Sequence, residues 1–67
     1  MNILVNNKPY ELVSDASLSY LLTQLGLADA KGIAVAVNNQ IVHKHSWDSC
    51  TLIENNKITI IRATQGG

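Results

Sequence analysis

The chain has 67 residues, 46% of them hydrophobic and only 15% charged, a balance that excludes intrinsic disorder and leaves room for one small domain. Five basic and five acidic residues give a formal net charge of zero. The cations Lys8, Lys31, Lys44, Lys57 and Arg62 are scattered, so the clustered positive field of a nucleic-acid binder is missing.

The elements follow from hydrophobic spacing. Residues 1–6 alternate, with Met1, Ile3 and Val5 on one side, which predicts a half-buried strand. Asn6-Asn7 is a tight turn, because Asn tolerates positive φ. Tyr10, Leu12 and Val13 continue as a second strand, with Pro9 at its start, and so short a turn makes the pair antiparallel. Leu18, Leu21, Leu22 and Leu25 recur at i, i+3, i+4 and i+7, one face of a helix. Ser17 is its expected N-cap. Gly26 takes the left-handed position after it, with Leu27 making the capping contact.

After a loop over residues 28–32, Ile33, Val35 and Val37 alternate with Ala34, Ala36 and Asn38 as a third strand. Asn38-Asn39 turns the chain into a short return at Ile41-Val42. Residues 43–50 are polar and irregular, with Ser46 expected to cap one short turn carrying Trp47 over the edge of the core. Leu52-Ile53 leads to a third turn at residues 54–57, and residues 58–63 form the last strand. The order is β-β-α-β-β-β, an α+β fold with one helix on a small mixed sheet. The first and last strands, both β-branched, are expected side by side and parallel at its centre.

Several classes of chemistry find no support. The longest apolar run, Ile33 to Val37, is far short of the ~20 residues of a spanning helix. The opening Met1-Asn2-Ile3-Leu4-Val5-Asn6 lacks signal-peptide features, and Cys50 has no internal disulfide partner, so a cytoplasmic protein without membrane contact is expected. His43 and His45 supply two imidazoles where a stable zinc site needs three or four ligands, so no metal is expected. Glu11, Asp15, Asp29, Asp48 and Glu54 are dispersed and form no carboxylate dyad.

The chain ends Thr64-Gln65-Gly66-Gly67, directly after the last predicted strand. Four extended residues reach roughly 13–14 Å. The two glycines have no side chains, so they can enter a narrow active site, and Gly67 offers an unhindered carboxylate. Residues 1–63 are therefore read as the folded domain and residues 64–67 as a flexible tail presented to partner active sites. Strand alternation points Leu4, Ala34, Ala36, Thr59, Ile61 and Ala63 away from the helix. That flat apolar face is a candidate docking surface, with Arg62 available to an acidic partner rim.

The opening 1–6, the Leu18 to Leu25 helix, the 34–42 segment, Trp47 and the ending 60–67 together resemble ubiquitin-like β-grasp proteins. Within that superfamily the chain resembles the ThiS family, the sulfur carriers of thiamine biosynthesis. Such carriers often have Asn-Gly where this chain has Asn6-Asn7, and Gly-Asp where it has Asn56-Lys57; both changes preserve turn chemistry. The resemblance implies a carrier rather than an enzyme, with no cofactor of its own. An E1-like adenylyltransferase (ThiF-type) uses ATP to adenylate Gly67. Sulfur from a cysteine desulfurase or other persulfide donor then gives a thiocarboxylate, which a thiazole synthase (ThiG-type) consumes. Alternatives are the small sulfur-carrier subunit of molybdopterin synthase, a β-grasp binding module without C-terminal chemistry, and a protein-conjugating modifier.

Overall fold

The computed structural model describes residues 1–62. Five strands and one helix follow in the expected order: β1 (Asn2–Val5), β2 (Lys8–Glu11), α1 (Leu18–Gln24), β3 (Ile33–Val37), β4 (Gln40–Ile41) and β5 (Lys57–Arg62). The sheet order is β2-β1-β5-β3-β4. β1 and β5 pair in parallel at its centre, as expected, and the other neighbours are antiparallel.

Two Asn-Asn turns set the register. Asn6 and Asn7 have φ of 50° and 69°, and Asn38 and Asn39 have 50° and 70°. Paired positive φ values suit two-residue hairpins, whose twist then matches that of the strands. The first turn places Val5 opposite Lys8 and Leu4 opposite Pro9. β2 is therefore Lys8–Glu11, not the later stretch that ends at Val13. Pro9 lies within this outermost strand rather than at its start, a position where a missing N–H is tolerated. The second turn places Val37 opposite Gln40, so β4 begins one residue earlier than expected.

Helix α1 is closed at both ends by groups the sequence names. Ser17 Oγ accepts from the Tyr20 N–H at 3.0 Å. The Leu18 and Ser19 N–H groups donate to the carbonyls of Cys50 and Trp47 at 2.7 and 3.1 Å. The first-turn donors are thus satisfied by protein, which ties the helix to residues 47–52. At the other end Gly26, with φ of 75°, donates to Thr23 at 3.0 Å, and Leu27 donates to Leu22 at 2.7 Å. These are the two bonds of a Schellman cap.

Leu18, Leu21 and Leu22 pack against Ile3, Val35 and Ile58 from the sheet, with Leu12, Ala16, Trp47 and Leu52 closing the sides. Trp47 is part of this core rather than a lid on its edge, and its Nε1–H donates to the Val42 carbonyl at 2.9 Å. Burial of the indole required that partner for its one donor. The segment before it is a 3₁₀ turn, Lys44–Ser46, entered at His43 with no side-chain cap. Ser46 closes that turn rather than capping it, and its carbonyl accepts from the Ser49 N–H and Oγ, both at 3.2 Å. Leu52 is buried beside Thr51, which makes an isolated bridge to Ser17.

Candidate functional site

The candidate site is strand β5 and the face it shares with its neighbours. Inner positions behave as alternation requires: Ile3, Val35 and Ile58 are buried, and Val5, Val37 and Ile60 pack against them. On the outer face Ile61 stands opposite Ala34, and Thr59 opposite Ala36. Ile61 is 56% exposed and Leu4 37%. Ala34 is exposed and Thr59 half-buried. These four residues give the face its apolar centre.

Ala36 does not contribute as expected. It points to the outer face, yet it is only 7% exposed. Its methyl is short and lies between Thr59 on β5 and Ile41 on β4, whose longer side chains cover it. Ile41 supplies surface there, at 57% exposure. Its place was available from the second Asn-Asn turn, because Val37 opposite Gln40 puts Ile41 opposite Ala36. Pro9, opposite Leu4, extends the same face on β2.

Arg62 is exposed but does not share this face. It alternates with Ile61 and lines a groove on the helix side, with Val5, Asn6, Leu25, Leu27 and Ile60. A carboxylate reaching Arg62 would therefore approach around the end of the sheet. Ala63 and the tail Thr64, Gln65, Gly66 and Gly67 lie outside the described residues.

Asparagine amides hold β5 near both ends. Asn38 donates its backbone N–H to the Lys57 carbonyl and accepts the Lys57 N–H on Oδ1, both at 2.8 Å. Asn6 Oδ1 accepts the Ile60 N–H at 2.8 Å, and its Nδ2 donates to the Ile60 carbonyl at 3.3 Å. Sequence reasoning assigned both asparagines to turns and missed these side-chain roles. The signal was the choice of Asn at the first turn position, where Gly would satisfy φ alone.

The histidines are exposed, with rings stacked at 5.8 Å between centroids and 3° between planes. Among the described residues no three His, Cys, Asp or Glu side chains converge as a metal site. Cys50 is half-buried against the core. No described helix is long and apolar enough to cross a membrane.

A family model described as the ThiS family matches residues 3–67. The chain belongs to the ThiS family. The fold agrees: the crystal structure of the thiamine biosynthesis protein ThiS from Geobacter metallireducens superposes with a TM-score of 0.85, at 25% identity over 100% of both chains. Its solution structure gives 0.80 at 25% identity, covering 100% of this chain and 88% of that one. SAMP1 from Haloferax volcanii gives 0.63 at 11% identity over 98% and 97%, a likeness of fold alone. No curated protein matches the chain at a significant level. As a ThiS-family member, the chain is a small ubiquitin-like β-grasp protein of the sulfur-carrier type, a class that is not itself enzymatic.

Proposed function

We propose that this ThiS-family chain carries sulfur on Gly67 for the thiazole ring of thiamine. The observation that carries the reading is the extent of the family match, which runs from β1 through Gly66 and Gly67. A ThiF-type adenylyltransferase spends ATP to convert the Gly67 carboxylate to an acyl-adenylate. A carboxylate is a poor acyl donor, and AMP provides the leaving group it lacks. The outer sulfur of a persulfide, supplied by a cysteine desulfurase or other donor, attacks the acyl carbon and expels AMP. A thiol then cleaves the resulting acyl disulfide, ending as a disulfide with the donor sulfur, and leaves a thiocarboxylate. A ThiG-type thiazole synthase then takes the sulfur. The chain is a co-substrate throughout, and ATP belongs to the partner. The same reading has the chain act in the cytoplasm.

The outer face of β5 supports docking in this scheme. Leu4 on β1, Ala34 on β3, and Thr59 and Ile61 on β5 form a largely apolar surface centred on the strand that leads to the tail. The exposed β5 residue Ile61 is five positions before Gly66 and six before Gly67. A partner seated on this face has the Gly-Gly end within the reach of a short extended segment.

Intact mass spectrometry tests the proposal. The chain is incubated with a ThiF-type enzyme, ATP, a persulfide donor and a thiol reductant. The expected product has one oxygen replaced by sulfur, located at Gly67 by fragmentation. No such species, from an enzyme active on another ThiS-family carrier, would sink the idea.

A further inference from the structure

The parallel ladder between β1 and β5 runs out before β5 does. Its register is Leu4 with Lys57 and Val5 with Ile58, and the Asn6 N–H adds one bond to the Ile58 carbonyl at 2.8 Å. The chain then reverses at Asn6-Asn7, while β5 continues to Arg62. The next rung on this edge would belong to Ile60. Asn6 fills it with its side chain, whose Oδ1 and Nδ2 engage the N–H and carbonyl of Ile60 at 2.8 and 3.3 Å. A primary amide offers one acceptor and donors in the arrangement of a peptide group, so it extends a ladder that the backbone has left.

The opposite edge of β5 is held by β3 out to the pair Ile33 and Arg62. With Asn6 in place, β5 is bonded on both edges as far as Ile60. Without it, water replaces the amide beside the groove lined by Val5, Leu25 and Leu27, and the strand end is held from one side only. The turn does not need this side chain, because glycine adopts the same φ without steric strain.

We infer that Asn6 is a positioning residue for sulfur loading: its amide fixes the line along which β5 leaves the docked body toward Gly67. The inference rests on the carrier reading above. Docking uses the outer face of β5, and the reacting carbon lies farther along the same chain. Whatever fixes β5 at Ile60 fixes the point on the docked body from which the last five residues depart. Small displacements of reacting groups cost large factors in rate, so a softened strand lowers the productive fraction of docked carrier. The loss appears in kcat, because the docking side chains are untouched.

The test compares the full chain with Asn6→Gly and Asn6→Asp. Asn6→Gly keeps the turn and removes both bonds; Asn6→Asp keeps an acceptor for the Ile60 N–H and removes the donor. Two quantities are read: amide hydrogen exchange by residue, and steady-state kinetics of adenylation well below the melting transition. In Asn6→Gly the Ile60 amide should exchange several-fold faster while Val35 and Ile58 keep their protection. Its kcat should fall by about 5-fold with KM held within about twofold, the scale of one or two lost hydrogen bonds. Asn6→Asp should recover part of the kcat loss. A merely structural asparagine would lower the melting temperature and leave kcat alone. Unchanged kcat in Asn6→Gly, with the parent chain turning over, overturns the inference and leaves the carrier function standing. A parent chain that takes up no sulfur overturns the function, and this inference with it.

Discussion

Asn38 brackets the peptide unit of Lys57, donating its backbone N–H to the carbonyl and accepting the Lys57 N–H on its side-chain oxygen, each at 2.8 Å. A turn residue thereby anchors the first residue of β5, nineteen positions along the chain. Asn38→Gly retains the turn and loses the Oδ1 acceptor. Chemical denaturation should show a loss of about 0.5–1.5 kcal/mol, the net worth of one such bond. Asn38→Ala adds the strain of a non-glycine residue without a local hydrogen-bonding group at φ 50°, a further ~1–2 kcal/mol. Equal stability of Asn38→Gly and the parent would show that the bond contributes nothing.

The docking face makes a graded prediction. Ile61 is at its centre, opposite Ala34, and Ile41 is at its edge on β4. Both are more than half exposed, so Ile61→Asp and Ile41→Asp leave the core intact. For adenylation by a ThiF-type enzyme, KM should rise at least tenfold in Ile61→Asp and less in Ile41→Asp. Interface energy concentrates at the centre of a contact, which sets that order. Wild-type KM in Ile61→Asp would remove this face from the docking site.

Removal of Gly66 and Gly67 separates folding from chemistry. The core contacts involve Ile3, Leu22, Val35 and Ile58, far back in the chain. The shortened chain should melt at the parent temperature and take up no sulfur. Retained sulfur uptake would place the reacting group elsewhere.

Gly26 is required for its conformation rather than its size. A Cβ built there meets nothing within 4 Å, yet φ is +75°. Gly26→Ala should cost about 1–2 kcal/mol through the left-handed backbone alone. Gly26→Asn, better tolerated in that region, should cost less. A thermal shift series reads the order directly, and equal melting temperatures for all three chains would refute it.

Asn56 is the one polar residue fully inside among the described residues, at 5% exposure. Its Oδ1 accepts the Ile53 N–H at 2.8 Å, its own N–H donates to the Ile53 carbonyl at 3.1 Å, and its carbonyl accepts from Leu4 at 3.0 Å. Asn56→Ala strands the Ile53 donor near the core. A loss of about 1–3 kcal/mol is expected by urea unfolding, and a smaller effect would show that water reaches that donor.

The leucine stripe, Ser17 and Gly26 located the helix, because a 3.6-residue period with caps at both ends is local information. The Asn-Asn pairs located two hairpins for the same reason. The limits of β2 and β4 differ from expectation by one or two residues, since the hydrophobicity of Leu12 and Val42 serves the core outside the strands, while Val13 is exposed. Trp47 showed no period at all. Its burial depends on the Val42 carbonyl and on the helix it packs beneath.

The alternation of the strands by itself assigned inner and outer faces, and the Gly-Gly ending marked the candidate reacting group, because both are properties of neighbouring residues. Which outer residues make surface was decided only in three dimensions. Ala36 lost its exposure to Thr59 and Ile41, which meet it from two other strands. Asn6 acquired its hold on Ile60 from a partner 54 positions away. Hydrogen bonds and cover of that kind arise from sheet register, and register is set when distant strands pair.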